Sequence, residues 1–146
     1  MTDLTPADLL DRAAILDVYA RYALGMDRAD RSMFASVWSA DAVWTCAELG
    51  LRAEGHDAIM EFFDGRYGKG PTLPDAGGNL RLAGNHLIEI SGDRATGRAE
   101  TVSFRYMGGA MHPYTVGYYD DEFVRTGGGW RLSSRDMVVA PIAKAP

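Results

Sequence analysis

Apolar side chains recur at helical spacing early in the chain and at every second position late in it. Ile15, Tyr19, Tyr22 and Met26 follow an i, i+4, i+7, i+11 pattern. Leu9, Ala13, Leu16, Ala20 and Ala23 form a second stripe beside them, with Asp17, Arg21 and Arg28 on the opposite side. This predicts one long helix to about Met26, with an apolar face wide enough to lie in a concave sheet. Thr5 is placed to cap it, Pro6 suits its first turn, and Asp8 complements its positive end. Asp30 caps a second short helix carrying Met33, Phe34, Val37 and Trp38. A strand is predicted from Ala42 to Glu48, with Trp44 and Cys46 on one side and Val43 and Thr45 on the other. A turn at Leu49-Gly50 leads to a second short strand. Gly55-His56-Asp57 opens a third helix through Ile59, Met60, Phe62 and Phe63. The Gly- and Pro-rich run from Asp64 to Gly78 reads as a loop.

The second half alternates. Strands are predicted over Leu80 to Ile90, Ala95 to Tyr106, Tyr114 to Arg125 and Trp130 to Val139. Turns fall at Ser91-Gly92-Asp93, Met107-Gly108-Gly109 and Gly127-Gly128-Gly129. Helices followed by long strands and tight turns indicate an α+β fold with an antiparallel or mixed sheet.

Composition narrows the functional classes. At 146 residues the chain is one domain, 1–146, with its core over about 8–139, and there is no room for a separate cofactor domain. Hydrophobic residues make up 47% and charged residues 24%, which excludes a disordered chain and a coiled coil. The net charge is −5 and no basic run exceeds two residues, which argues against a nucleic-acid partner. No stretch of about 18 apolar residues is present, so no membrane span is expected. Cys46 is alone, which excludes a disulfide framework and points to a cytoplasmic setting. Met1 to Pro6 contains Asp3 and no apolar core, unlike a signal peptide. The three histidines lack metal-ligand spacing, so no metal site is expected.

Asp27 is the sharpest chemical candidate. On a helical wheel it falls beside Leu16, Ala20 and Ala23, where a carboxylate needs a partner and acquires a raised pKa. If the helix ends at Gly25, Asp27 only caps a turn; both environments fit the pattern. Simple alternation puts His86 with Leu82, Gly84, Ile88 and Ile90, as a proton-transfer group at a pocket wall or as a hydrogen-bonded core histidine. A single bulge would instead turn Arg81 and Asn85 inward. His112 lies in the Gly108–Pro113 loop, either gating a pocket or solvated. Met137, with Trp44 and the tyrosines Tyr22, Tyr106 and Tyr119, can line an adaptable apolar cavity or serve as plain core.

Several phrases, in order, resemble one family. They are Arg12-Ala13-Ala14-Ile15 followed by Tyr19 and Tyr22 to Asp27, then Phe34 to Asp41, and Gly55-His56-Asp57-Ala58-Ile59. Ile88 to Ala95 and Gly117-Tyr118-Tyr119 running on to Gly129-Trp130-Arg131 complete the set. The chain resembles the SnoaL-like branch of the nuclear transport factor 2-like superfamily, a cone of curved sheet around N-terminal helices shared with scytalone dehydratase. Arg12 to Asp27 and Ala42-Val43-Trp44-Thr45 are similar to hexachlorocyclohexane dehydrochlorinases.

The resemblance implies a cofactor-independent lyase or isomerase acting on a small apolar or aromatic cyclic molecule, and a homo-oligomer, dimer or trimer. In catalytic relatives an Asp at the end of the first helix orients a His early in the third strand. Asp27 matches that Asp, but the His position falls near Leu80 or Arg81. Arginine stays protonated in proteins, so an Asp27–Arg81 pair implies an ion pair or a substrate anchor. Asp27, Arg81 and His86 are therefore the candidate catalytic residues. Tyr22, Trp44, Asn85, Tyr106, His112, Tyr119 and Met137 are candidates for substrate binding. The same fold also serves non-catalytic ligand-binding or dimerising subunits.

Overall fold

The computed structural model describes residues 3–68 and 79–142. Helix α1, Pro6–Asp27, starts at a reciprocal cap. Thr5 Oγ1 accepts from the Asp8 amide at 3.2 Å, and the Asp8 carboxylate accepts from the Thr5 amide at 2.9 Å. The helix runs past Gly25, so Asp27 belongs to it. Gly25 is required by packing: a Cβ there would meet the Phe34 backbone at 2.8 Å. That approach seats α2, Arg31–Ser36, against α1, with Asp30 capping α2 through the Met33 amide. Val37 and Trp38 lie outside this helix. Val37 is its C-cap and Trp38 opens β1, Trp38–Cys46. A 3-10 turn, Ala47–Leu49, leads to β2, Leu51–Glu54, and then to α3, His56–Tyr67.

Four long strands follow: β3, Asn79–Ser91; β4, Arg94–Met107; β5, Ala110–Thr126; and β6, Gly129–Pro141. The described strands form one sheet in the order β2-β1-β6-β5-β4-β3. The pairing of β1 with β6 is parallel and the rest are antiparallel, so the sheet is mixed. No helix among the described residues is long and apolar enough to cross a membrane.

Only one stripe of α1 enters the core. Ile15, Val18, Tyr19, Tyr22 and Met26 are buried, whereas Leu9 and Leu16 of the second stripe are 55% and 42% exposed. The curved sheet touches the helix along a single line, and the expected wide buried face is not formed within one chain. The core is largely aromatic. Tyr22, Phe34, Trp38 and Trp44 meet one another with ring centroids 5.4–5.9 Å apart, mostly edge to face or tilted.

Two charges lie inside this aromatic core. Asp121 on β5 and Arg135 on β6 are direct cross-strand partners. Their side chains are fully buried and joined by two hydrogen bonds of 2.8 Å. The Arg135 guanidinium lies 3.9 Å from the Tyr119 ring centre and 4.1 Å from that of Tyr22. The fork geometry and the ring faces offset the loss of water. Arg135→Met should therefore cost about 3–5 kcal/mol by leaving Asp121 buried without its cation. Denaturant unfolding measures this, and Asp121→Asn combined with Arg135→Met should recover part of the loss.

Candidate active site

The site is built where the end of α1 meets the start of β3. The Arg81 amide donates to Asp27 Oδ2 at 2.9 Å, and Arg81 Nε lies 3.1 Å from Asp27 Oδ1. Arg81 also approaches the Met26 sulfur through Nη1 at 2.9 Å and covers the Tyr67 ring at 5.6 Å. The Asp27 side chain is 5% exposed and that of Arg81 13%. Burial pushes the Asp27 carboxyl above its ordinary range, opposed by the Arg81 charge and amide. Burial also pulls the Arg81 guanidinium down, but Asp27 and the surrounding tyrosines outweigh it, so Arg81 stays firmly protonated.

A cavity of about 450 Å³ opens beside this pair. Its sheet wall includes the row Arg81, Ser103, Thr115 and Pro141, which are register partners across four strands. Tyr22, Tyr119 and Met137 form its buried inner end. There the Tyr22 hydroxyl donates to the Met137 sulfur at 3.3 Å. Glu48, Arg66, Tyr67, Arg105 and Tyr114 add polar and aromatic edges. Asp27 is not among the lining residues and sits directly behind Arg81.

A bulge in β3 decides which side chains share this interior. Between the pairs Gly84–Glu100 and Leu87–Arg98, two residues, Asn85 and His86, oppose the single residue Ala99. Asn85 takes a left-handed backbone, φ 52°, which Asn tolerates better than most residues. The alternation resets at this point. Arg81 and Ala83 face inward before it, and His86, Ile88 and Ile90 face inward after it.

A model of the SnoaL-like domain matches residues 7–136. The chain belongs to the SnoaL-like family. It is 27% identical over 126 residues to hexachlorocyclohexane dehydrochlorinase 1 of Sphingobium indicum, covering 86% of this chain and 79% of that protein. It is similar in structure to a nuclear transport factor 2-like protein with a cystatin-like fold from Novosphingobium aromaticivorans. That match has a TM-score of 0.79 and 28% identity, and covers 95% of this chain and 91% of the other. A cystatin-like protein of unknown function from Nostoc punctiforme matches with a TM-score of 0.76 and 18% identity, covering 96% of each chain. The expected nuclear transport factor 2-like α+β roll is thus the observed fold.

Within this SnoaL-like chain the expected site residues separate. Tyr22, Arg81, Tyr119 and Met137 meet at the cavity, with Asp27 behind Arg81. Asn85 is turned outward by the bulge and bonds Glu100 on the outer sheet face. Leu82, expected to share a face with His86, is also outward and 53% exposed. Trp44 is fully buried in the aromatic core and does not reach the cavity. Tyr106 and His112 sit near the tip of the β4–β5 hairpin, paired with Met111 and Arg105, and line no part of it. His86 faces inward but stands apart from the cavity, edge-on to Tyr19 with ring centroids 4.5 Å apart. His56, expected at the start of α3, contacts the Ala35 carbonyl there at 2.9 Å.

The sequence reading missed Asp121 and Arg135. A carboxylate and an arginine on inward positions of neighbouring strands were the available signal, but it requires the register. It also missed Ser103, Arg105 and Thr115, which only cross-strand pairing brings beside Arg81.

His86 is held below its ordinary pKa of 6.5 by burial and by the Arg135 charge, against the pull of Asp121. The unfolded chain takes up a proton near 6.5 that folded His86 refuses. Stability from this group is full above that value and is lost as pH falls through it toward the lower folded pKa. His86→Gln should therefore flatten the stability–pH curve between about pH 7 and pH 5. Thermal unfolding at several pH values reads the difference, and an unchanged slope would contradict the assigned burial.

Proposed function

We propose that this SnoaL-like chain is a small-molecule enzyme performing cofactor-independent proton-transfer chemistry, of dehydratase, isomerase or cyclase type. Its substrate is an apolar cyclic molecule held in the cone cavity. One observation carries this reading: a buried, carboxylate-anchored guanidinium at the wall of a cavity with an inner end made of Tyr22, Tyr119 and Met137. In such a water-poor site a fixed cation stabilises an oxygen that gains negative charge as a proton or leaving group departs. Arg81 takes that role. Asp27 either holds the guanidinium in line or, with its pKa raised by burial, accepts the proton. Tyr22, Tyr119 and Met137 position the ring. The similarity to a dehydrochlorinase supports the same class of chemistry.

A non-catalytic ligand-binding domain is the alternative. It is favoured by the guanidinium at position 81, which accepts no proton, and by the distance of His86 from the cavity. On a substrate found by screening cyclic ketones, alcohols and halides, Asp27→Asn should lower kcat about 100-fold or more. Asp27 as the base places the acid limb of the pH–rate profile above 3.8 and removes it in the variant. Asp27 as the orienter leaves that limb unchanged and moves KM together with kcat. Unchanged turnover in Asp27→Asn overturns both roles. A wild-type protein that binds ring compounds and converts none supports the alternative.

Self-association belongs to the same proposal. Leu82, Val102, Val116 and Ala140 are register partners in one row across the outer face, and Leu82 and Val116 are exposed. An apolar stripe of this kind favours a dimer or trimer. Leu82→Glu should shift sedimentation toward the monomer, whereas an unaltered distribution would place the contact elsewhere.

A further inference from the structure

Of the thirteen arginines, seven have a carboxylate within ion-pair distance among the described residues: Arg21, Arg31, Arg52, Arg81, Arg98, Arg125 and Arg135. Arg105 is one of the six that have none. It lines the cavity, is half-buried, and has no carboxylate within ion-pair distance among the described residues. Its guanidinium carbon lies over the Tyr114 ring, 3.9 Å from the ring centre, and Nε donates to the Asn79 side chain at 3.3 Å. The ring contact and one neutral hydrogen bond hold the group but leave its charge unneutralised.

The position within the wall is informative. Arg105 pairs with Asn79 while Arg81 pairs with Ser103, so the two arginines lie one pleat repeat apart on the same face. That repeat is about 7 Å along the strand. Arg66, also unpaired among the described residues, lies on the opposing helix α3 at the cavity edge. A chain with net charge −5 thus gathers three guanidiniums around one cavity, against Glu48 as the one carboxylate among the described residues that line it. Glu48 itself is held by backbone amides and by the Cys46 thiol rather than by any of the three.

We infer that the natural ligand carries an anionic carboxylate on its apolar ring system, bound by Arg105 at the cavity mouth. This rests on the proposed reading of the cavity and names the substrate class more narrowly. The ring enters toward Tyr22, Tyr119 and Met137. The carboxylate stays at the half-exposed end, where a stacked guanidinium offers two parallel N–H donors. Arg81 is already occupied by Asp27 and remains available for the oxygen at the reacting centre. Arg66 adds a longer-range attraction.

Binding of 1-naphthoate and of its neutral isostere 1-naphthamide tests this, followed calorimetrically on the full chain. The expected result is that naphthoate binds about tenfold tighter or more. The preference should shrink as salt rises from about 0.05 to about 0.5 M, a measurement that needs no variant. Arg105→Gln should remove most of the preference by weakening naphthoate far more than naphthamide, and Arg105→Lys should restore only part of it. Equal affinity of the two probes, or a preference that survives Arg105→Gln largely intact, overturns the inference while leaving the cavity as a ring-binding site. Failure of both probes to bind overturns the cavity reading itself, and the inference with it.

Discussion

A positive charge at the centre of an aromatic core is the constraint on which the rest of this structure depends. Arg135 has no exposed surface, so its charge must be met inside the fold. Asp121 meets it from the neighbouring strand, and Tyr22 and Tyr119 supply ring faces. The two tyrosines also have a second task. Tyr22 and Tyr119 form the inner end of the cavity, and Tyr22 lies on α1, the helix that ends at Asp27. The position of α1 on the sheet is therefore set by a charge that does not line the cavity. Any displacement of α1 would uncover the Arg135 charge and move Asp27 away from Arg81.

The same logic explains the β3 bulge. Without it, strict alternation would put Arg81 and His86 on opposite faces, and one of the two would face solvent. The extra residue lets both face inward, at the cost of a left-handed Asn85. The two inward residues then serve different neighbourhoods: Arg81 joins Asp27 at the cavity, and His86 joins Tyr19 and the Asp121–Arg135 pair.

Much of this was legible in the sequence because it is local. The Thr5–Asp8 cap, the Asp30 cap and the alternation of the late strands are short-range patterns, and the elements formed where those patterns place them. Asp27 stood out as a carboxylate beside Leu16, Ala20 and Ala23, but Leu16 and Ala20 are exposed, and Asp27 is buried instead where the end of α1 meets Arg81 of β3. Non-local features were not legible. Register pairs Asp121 with Arg135 and Ser103 with Arg81, and no single strand carries that information. Simple alternation placed Leu82 and Arg81 on the wrong faces, and the bulge reading corrected Arg81 but carried Asn85 inward with it, because the position of the bulge between them depends on the partner strand. Trp38 was placed in a helix because its spacing from Phe34 is helical, but pairing with Leu132 of β6 drew it into β1. Leu9 and Leu16 follow a helical stripe that the sheet is too narrow a surface to cover.

The parallel pairing of β1 with β6 has a consequence for the order in which the chain can be completed. β6 lies between β1 and β5 and joins the β2-β1 pair to the β5-β4-β3 meander. It is the last of the six strands to leave the ribosome, and it carries Arg135, Leu132 and Met137 into the core. Until it emerges, the nascent polypeptide holds two unjoined half-sheets and Asp121 has no cation. The domain should therefore close in a single late event once β6 has emerged, with most of its aromatic core exposed to chaperones until then.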